Sequence, residues 1–336
     1  MKRESLIIAS MAIAVLILGL VGPKAVADAR ADTYEFKMGA TSVRSGLYAN
    51  TVAMAEVVNR VYDDISMTVV ETGGYVENLE RLRRATIDAG PASTGAAAAS
   101  YQGIMDWDGD PDEELRTLWG GYFTPIHLIA SKDSGITTVE GFENERFAMN
   151  PGTTSGWHIH NFFQALDLQP DYQLMGLGAS PDAMKAGTVH GWFKAGFQDA
   201  AVMDIEAAMD IEIIDLEERL IEEASEVQPG IHRSTTIPEG LFDAVESEQL
   251  SYAYVVSDFV RQDIPDDVVY DVVKAIWENR HDMIEPLATL QEGQFDKMVE
   301  NAVEYELTVP FHAGAVKFYE EIGKELPDEL VPPEAK

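Results

Sequence analysis

Short strand-like runs alternate with amphipathic helical segments along almost the whole chain, and this alternation confines it to an α/β architecture. Tyr34 to Gly39 reads as the first strand. Leu47 to Tyr62 follows as a helix, with Val52, Ala55, Val58 and Val61 near helical spacing. Ser66 to Glu71 is a second strand, Val76 to Ala85 a helix, Ile87 to Pro91 a short strand, and Thr94 to Tyr101 a small-residue helix. The pattern continues with strands at Ile126 to Ser131, Arg146 to Met149, Val189 to Phe193 and Tyr252 to Val256. Helices are expected after Gly156 through Leu166, over Asp266 to Asn279, and over Gly314 to Lys324. No internal repeat interrupts this order.

The strand-to-helix junctions share a composition rich in Gly, Ser and Thr. Such junctions present unpaired backbone N–H groups at the positive end of a helix dipole. In open α/β sheets, ligands sit outside the carboxyl ends of the strands, where these junctions lie. Asn150 to Gly156 has the clearest form, with Thr153, Thr154 and Ser155 as hydroxyl donors. It reads either as an ordinary helix cap or as a cradle for a carboxylate. The same two readings apply to Thr72-Gly73-Gly74 and to Thr41 to Gly46.

The amino terminus reads as an address. Lys2 and Arg3 precede an apolar run from Leu6 to Val21, Pro23 breaks it, and Ala25-Val26-Ala27 is a small-x-small cleavage site. These are the parts of a secretory signal peptide over residues 1–27, with the mature chain starting near Asp28. The alternative is a membrane anchor, for which the run is short.

Charge and cysteine content exclude several functions. The 58 acidic and 24 basic side chains give a formal charge of −34, a field that repels nucleic acid and anionic bilayers. With 46% apolar residues the chain can still bury a core. There is no cysteine, hence no disulfide, no thiolate chemistry, no Cys-ligated metal and no lipoprotein anchor. No GxxxxGK[ST] or GxGxxG loop occurs, and Gly152 to Gly156 is not a GxSxG elbow. The seven histidines lack HExxH spacing, and His158 and His160 fall on different helix faces, so no metal site is expected. Asp106-Trp107-Asp108-Gly109-Asp110-Pro111-Asp112 begins like a calcium loop. It has Pro111 at the sixth position and Thr117 at the twelfth, so it reads as a solvated acidic loop, with weak divalent-cation binding as the alternative.

Two cations stand in positions of interest. Arg44 lies in the first junction, and Lys194 ends a strand before Ala195-Gly196-Phe197. Each reads as a surface ion pair or as a partner for a ligand carboxylate. Tyr48, Tyr75, Trp157, Trp192 and Phe193 are candidates for the apolar walls of a pocket.

Taken in order, these segments resemble one family: the extracytoplasmic solute receptors of TRAP transporters, of the TRAP-associated extracytoplasmic immunogenic (TAXI) type. Gly39 to Tyr48 resembles its first Gly/Ser/Thr loop and following aromatic, with Ala40 and Ser42 where glycines are more usual. Glu71-Thr72-Gly73-Gly74-Tyr75-Val76-Glu77-Asn78-Leu79 is similar to its TGG-x-VENL segment, the most specific local match. His127 to Ile136 resembles its crossover strand and turn, and Asn150 to Ser155 its Pro-Gly-Ser/Thr helix start. Thr236 to Gly240 and Val309 to Ala315 resemble two later landmarks. The chain departs from the family at Gly90-Pro91-Ala92-Ser93 and at Lys194, both beside the expected cleft.

The resemblance implies a two-lobed periplasmic binding protein fold of type II, with two crossover connections as the hinge. Lobe one would span 34–126 plus 253–330, and lobe two 127–252. The implied function is capture of a small organic acid or amino acid (glutamate, a 2-oxo acid or a dicarboxylate) in the interlobe cleft. Delivery would be to a TRAP membrane permease. The expected ligand-binding residues are Thr41, Arg44, Ser45, Tyr48, Thr72, Gly73, Gly74, Ser93, Thr153, Thr154, Ser155, Trp157 and Lys194. No catalytic residue, metal or cofactor is implied, and a periplasmic monomer is expected. The alternatives are an exported hydrolase on the same architecture and a solute sensor serving a signalling partner.

Overall fold

A computed structural model describes residues 32–43, 46–196, 199–228, 230–284, 297, 299–304 and 306–336. The expected signal peptide and the candidates Arg44 and Ser45 lie outside the described residues. Among the described residues, no helix is long and apolar enough to cross a membrane.

The chain first runs β1 (Tyr34–Gly39), α1 (Gly46–Val61), β2 (Ile65–Val70), α2 (Tyr75–Arg83), β3 (Ala89–Ser93), α3 (Thr94–Gln102), β4 (Leu115–Thr117) and β5 (Tyr122–Ser131). It continues through β6 (Arg146–Met149), α4 (Thr154–Ala165), β7 (Asp171–Leu174), α5 (Ser180–Lys185), β8 (Gly191–Ala195), α6 (Ala200–Glu206), β9 (Ile211–Ile213), α7 (Glu218–Val227), β10 (Arg233–Ile237) and β11 (Gln249–Arg261). The helices α8 (Asp266–Glu278), α9 (Arg280–Ile284), α10 (Glu300–Glu304) and α11 (Ala313–Glu321) follow.

The strands form one mixed sheet in the order β2-β1-β3-β11-β5-β8-β6-β7, with β4 and β10 on β11 and β9 on β5. Its two ends repeat one pattern. β1 lies between its parallel neighbours β2 and β3, and β3 is followed by antiparallel β11. β6 lies between its parallel neighbours β7 and β8, and β8 is followed by antiparallel β5. Parallel neighbours need crossover connections, which the alternating helices supply. The chain passes from the first half to the second along β5 and returns along β11. These two crossing strands pair antiparallel at the centre, with Tyr254 opposite Thr124 and Tyr252 opposite Ile126. The fold is therefore mixed α/β, as the alternation predicts.

Apolar packing follows this division only in part, because one cluster stays within the first half and the other crosses between the halves. One cluster joins Phe36 and Met38 of β1 to Val58 of α1, Val272 of α8 and Phe318 of α11. A second runs from Leu79 and Ala92 in the first half to Leu128, Phe147, Phe163 and Phe193 in the second. Trp192, Phe193 and Tyr75, expected as pocket walls, are buried in this second cluster. The strand that carries Trp192 and Phe193 is covered on both faces, so neither ring opens to a cleft.

β11 is much longer than the expected Tyr252 to Val256. Ser257 and Asp258 look like a polar end to the strand, yet both are buried and satisfied. Ser257 donates to the Trp119 carbonyl, and Asp258 accepts the Trp119 indole N–H at 3.0 Å. Hydrogen bonding offsets the desolvation that a polar pair would otherwise cost there. Pairing with β10, β5, β3 and β4 then holds all thirteen residues in register.

Candidate functional site

Three junctions of the first half are tied together at one carbonyl. The Ala40 oxygen, just after β1, accepts from Thr72 Oγ1 at 2.8 Å and from Asn78 Nδ2 at 2.8 Å. Asn78 Nδ2 also donates to the Pro91 oxygen of β3 at 2.9 Å. Thr72 and Asn78 therefore position the loops after β1 and β2 and the strand β3 relative to one another. Thr41 follows Ala40 and is almost fully buried, and its Oγ1 has no hydrogen-bond partner among the described residues. Ser93 is fully buried and caps α3, accepting from the Ala96 N–H at 3.3 Å. Tyr48 is half-buried near the start of α1.

In the second half, Thr153 caps α4. Its Oγ1 accepts from the Gly156 N–H at 3.0 Å and donates to the Asn150 carbonyl at 2.8 Å. A side chain on Gly156 would put Cβ 2.3 Å from that same carbonyl, so the tight entry requires glycine. Asn150 Nδ2 anchors the loop to the Met175 oxygen at 3.0 Å and to Ser180 Oγ at 2.8 Å. The Asn150 to Gly156 segment is thus a helix cap by its bonds, and Ser155 sits half-buried on the first turn beyond it.

The two halves meet at these junctions. The Tyr75 N–H, at the start of α2, donates to Thr154 Oγ1 at 3.2 Å. Gly74 has φ 146, and a Cβ there would lie 3.0 Å from the Gly152 oxygen. The Trp157 indole N–H reaches Asp106 Oδ2 at 2.8 Å. Gly74 and Tyr75 are therefore brought against Gly152, Thr153 and Thr154, and Trp157 against Asp106. Two helix N-termini, those of α2 and α4, converge from opposite halves. Their partial positive charges favour an anionic oxygen between or beside them without any net positive protein charge. Gly73 already gives its N–H to Glu77 Oε2 at 2.7 Å, so the remaining first-turn amides carry that preference.

Lys194 is drawn elsewhere. Its Nζ pairs with Asp199 Oδ2 at 3.1 Å, and both side chains are largely buried. Asp199 also caps α6, accepting from the Ala201 N–H at 2.9 Å. A ligand carboxylate at Lys194 would have to share the ammonium with Asp199.

Three participants stand outside the expected ligand-binding residues. Asn78 lies within a helix, Asp106 in a loop rich in acids, and His158 faces the core. The His158 ring stacks on Tyr254 of β11, centroids 4.3 Å apart and planes 8° from parallel. Burial holds its imidazole well below the ordinary pKa, and the His232 ring nearby adds to the effect. His232 itself is pushed down by burial to about 3. Among the described residues there is no group of three or more His, Asp or Glu side chains arranged to hold a metal.

Residues 38–323 match the profile of the NMT1-like family. The chain is also similar to solved structures. The alkanesulfonate-binding protein SsuA from Xanthomonas axonopodis pv. citri, bound to MOPS, is 15% identical. That match covers 91% of this chain and 98% of the other, with a TM-score of 0.45. A ligand-binding component of an ABC-type import system from Staphylococcus aureus, with zinc bound, is 13% identical over 90% of this chain and 98% of its own, TM-score 0.44. The periplasmic aliphatic sulphonate binding protein SsuA from Escherichia coli is 13% identical over 89% and 96%, TM-score 0.43.

Proposed function

The chain belongs to the NMT1-like family, and on that premise we propose that it is an extracytoplasmic solute-binding protein. It captures a small carboxylate, an amino acid or an organic acid, between two lobes and passes it unchanged to a membrane transporter. The lobes are 34–126 plus 253–330 and 127–252, hinged where β5 and β11 pair. The observation that carries this reading is the convergence of the α2 and α4 N-termini across the Tyr75–Thr154 hydrogen bond. A binding protein needs polar donors that face each other from two bodies able to part, and the facing α2 and α4 N-termini support that reading. The segments that resemble the TAXI receptors favour a TRAP permease as the recipient. Residues 1–27 direct export and are removed in the mature protein.

A thermal-shift screen over glutamate, other amino acids, dicarboxylates, 2-oxo acids and aliphatic sulfonates tests the reading. A solute that binds only the folded protein raises the melting temperature, by an amount that grows with its concentration. Calorimetry with the solute so found then reports the affinity. Failure of every acid in the panel to shift the transition would overturn carboxylate capture, and a response to sulfonates alone would reassign the ligand class.

A further inference from the structure

The acidic loop between α3 and β4 has a shape that its composition does not explain. It is a tightly built turn. Gly103 has φ 66, and a Cβ on it would lie 2.6 Å from the Pro111 nitrogen. Met105 holds φ 57, a left-handed conformation that is uncommon for a residue with a side chain. The surroundings here are specific. The Gly109 N–H closes on the Gly103 oxygen at 3.0 Å, and the Asp112 N–H on the Ser100 oxygen at 2.9 Å. Trp107 is buried and its indole N–H donates to Glu80 Oε1 at 2.9 Å. Arg83 donates to the Asp110 oxygen at 3.0 Å and pairs with the Asp110 carboxylate. Two of the loop's neighbours, Glu80 and Arg83, belong to α2, the helix whose N-terminus faces α4.

The residue that this turn presents is Asp106, exposed, directly after strained Met105. Its carboxylate accepts the indole N–H of Trp157, one turn into α4 on the other half, at 2.8 Å. Strain held by a rigid frame and aimed at a contact between the halves is a reason for the loop's geometry that a merely solvated acidic loop does not have.

We propose that the 103–112 loop is a built catch for closure of the cleft: Asp106 engages the Trp157 indole and sets the balance between open and closed forms before any solute is bound. The inference rests on the two-lobed reading above and adds a regulator to it. In the open form Asp106 and the indole N–H are each hydrated. In the closed form they exchange water for one hydrogen bond to a charged acceptor, at a partly exposed site. Such a bond is worth about a five- to tenfold change in the closed-to-open ratio. Because apparent affinity scales with the population of the binding-competent form, the catch tunes affinity through that population.

The absence of native cysteine allows a direct test. Nitroxides attached after Glu56→Cys on α1 and Glu223→Cys on α7, both at exposed positions, report the distance between the halves by pulsed electron resonance in solute-free buffer. The expected result is a short-distance population in the parent protein. Asp106→Ala and Trp157→Phe each reduce it about five- to tenfold relative to the long-distance population. The double variant falls no further than either single one, and Asp108→Ala leaves the distribution unchanged. Trp157→Phe keeps the ring, so its melting curve separates loss of the catch from loss of the fold. A parent distribution without the short population, or one that neither variant changes, overturns the catch. Solute capture fails separately, on the thermal-shift screen.

Discussion

Gly74 at the start of α2 lies directly against Gly152 before α4, so close that a single methyl group on Gly74 would sit 3.0 Å from the Gly152 carbonyl oxygen. The contact joins the two halves backbone to backbone, and Gly74 holds it at a φ of 146 that residues with a side chain rarely adopt. Gly74→Ala is expected to force the α2 and α4 N-termini apart by a few tenths of an ångström and to strain the turn by roughly 1–3 kcal/mol. Affinity for the solute identified by thermal shift should fall at least tenfold in calorimetry. Retained affinity would show that the two N-termini do not act together on the ligand.

Thr154 makes the same junction through its side chain. It is buried, and its hydroxyl oxygen is the acceptor for the Tyr75 N–H. Thr154→Val keeps the shape and removes that acceptor, which should destabilise the closed protein by about 1–3 kcal/mol. Thr154→Ser restores the oxygen and should recover most of the loss. Urea unfolding midpoints at constant slope measure both, and equal midpoints for Val and Ser would sink the assignment.

Asp258 tests the central strand. Burial raises its carboxyl from 3.8 to about 7, against the smaller opposing effect of the Trp119 indole N–H. The native state therefore holds a proton that the unfolded chain releases near pH 4. Stability from this group is full below about pH 4 and is lost as pH rises toward 7, on the order of 4 kcal/mol in all. Asp258→Asn keeps an acceptor for Trp119 and cannot ionise. Its stability relative to the parent should rise across pH 4 to 8. A constant difference over that range would place the Asp258 carboxyl at its ordinary pKa.

The residues that sequence alone makes legible are those whose role is local. Helical spacing of Val52, Ala55 and Val58 and the small residues of Thr72 to Gly74 report on their own neighbourhoods, and α1 and the start of α2 lie where those patterns put them. What stays hidden depends on partners far along the chain. Ser257 and Asp258 look like the end of a strand until Trp119 arrives to satisfy them. Asp106 looks like one acid among many until Trp157, 51 residues away, donates to it. Lys194 looks like a free cation in an acidic chain, but Asp199, just before α6, pairs with it. Trp192 and Phe193 look equally suited to a pocket wall and a core, and only the layers on both faces of β8 decide for the core.

His158 makes the opposite pH prediction from Asp258, and the two can be separated. Its ring is fully buried between Trp157, His232 and Tyr254, and both nitrogens are without a hydrogen-bond partner among the described residues. Neutral His158 is tolerated there, whereas the imidazolium would carry a charge into an apolar stack beside a second histidine. The folded pKa is thus lowered, while the unfolded chain takes up the proton near pH 6.5. Stability is full above about pH 6.5 and falls as pH drops below it. His232, at about 3, adds a loss of the same sign. His158→Phe preserves the stack on Tyr254 and removes both the proton site and the unpartnered nitrogens. The variant should be more stable than the parent at pH 5 and gain less at pH 8, as read from urea midpoints. His158→Phe combined with His232→Leu should flatten the acid limb further. An acid limb unchanged by either substitution would mean that the stack opens to water before the imidazole titrates.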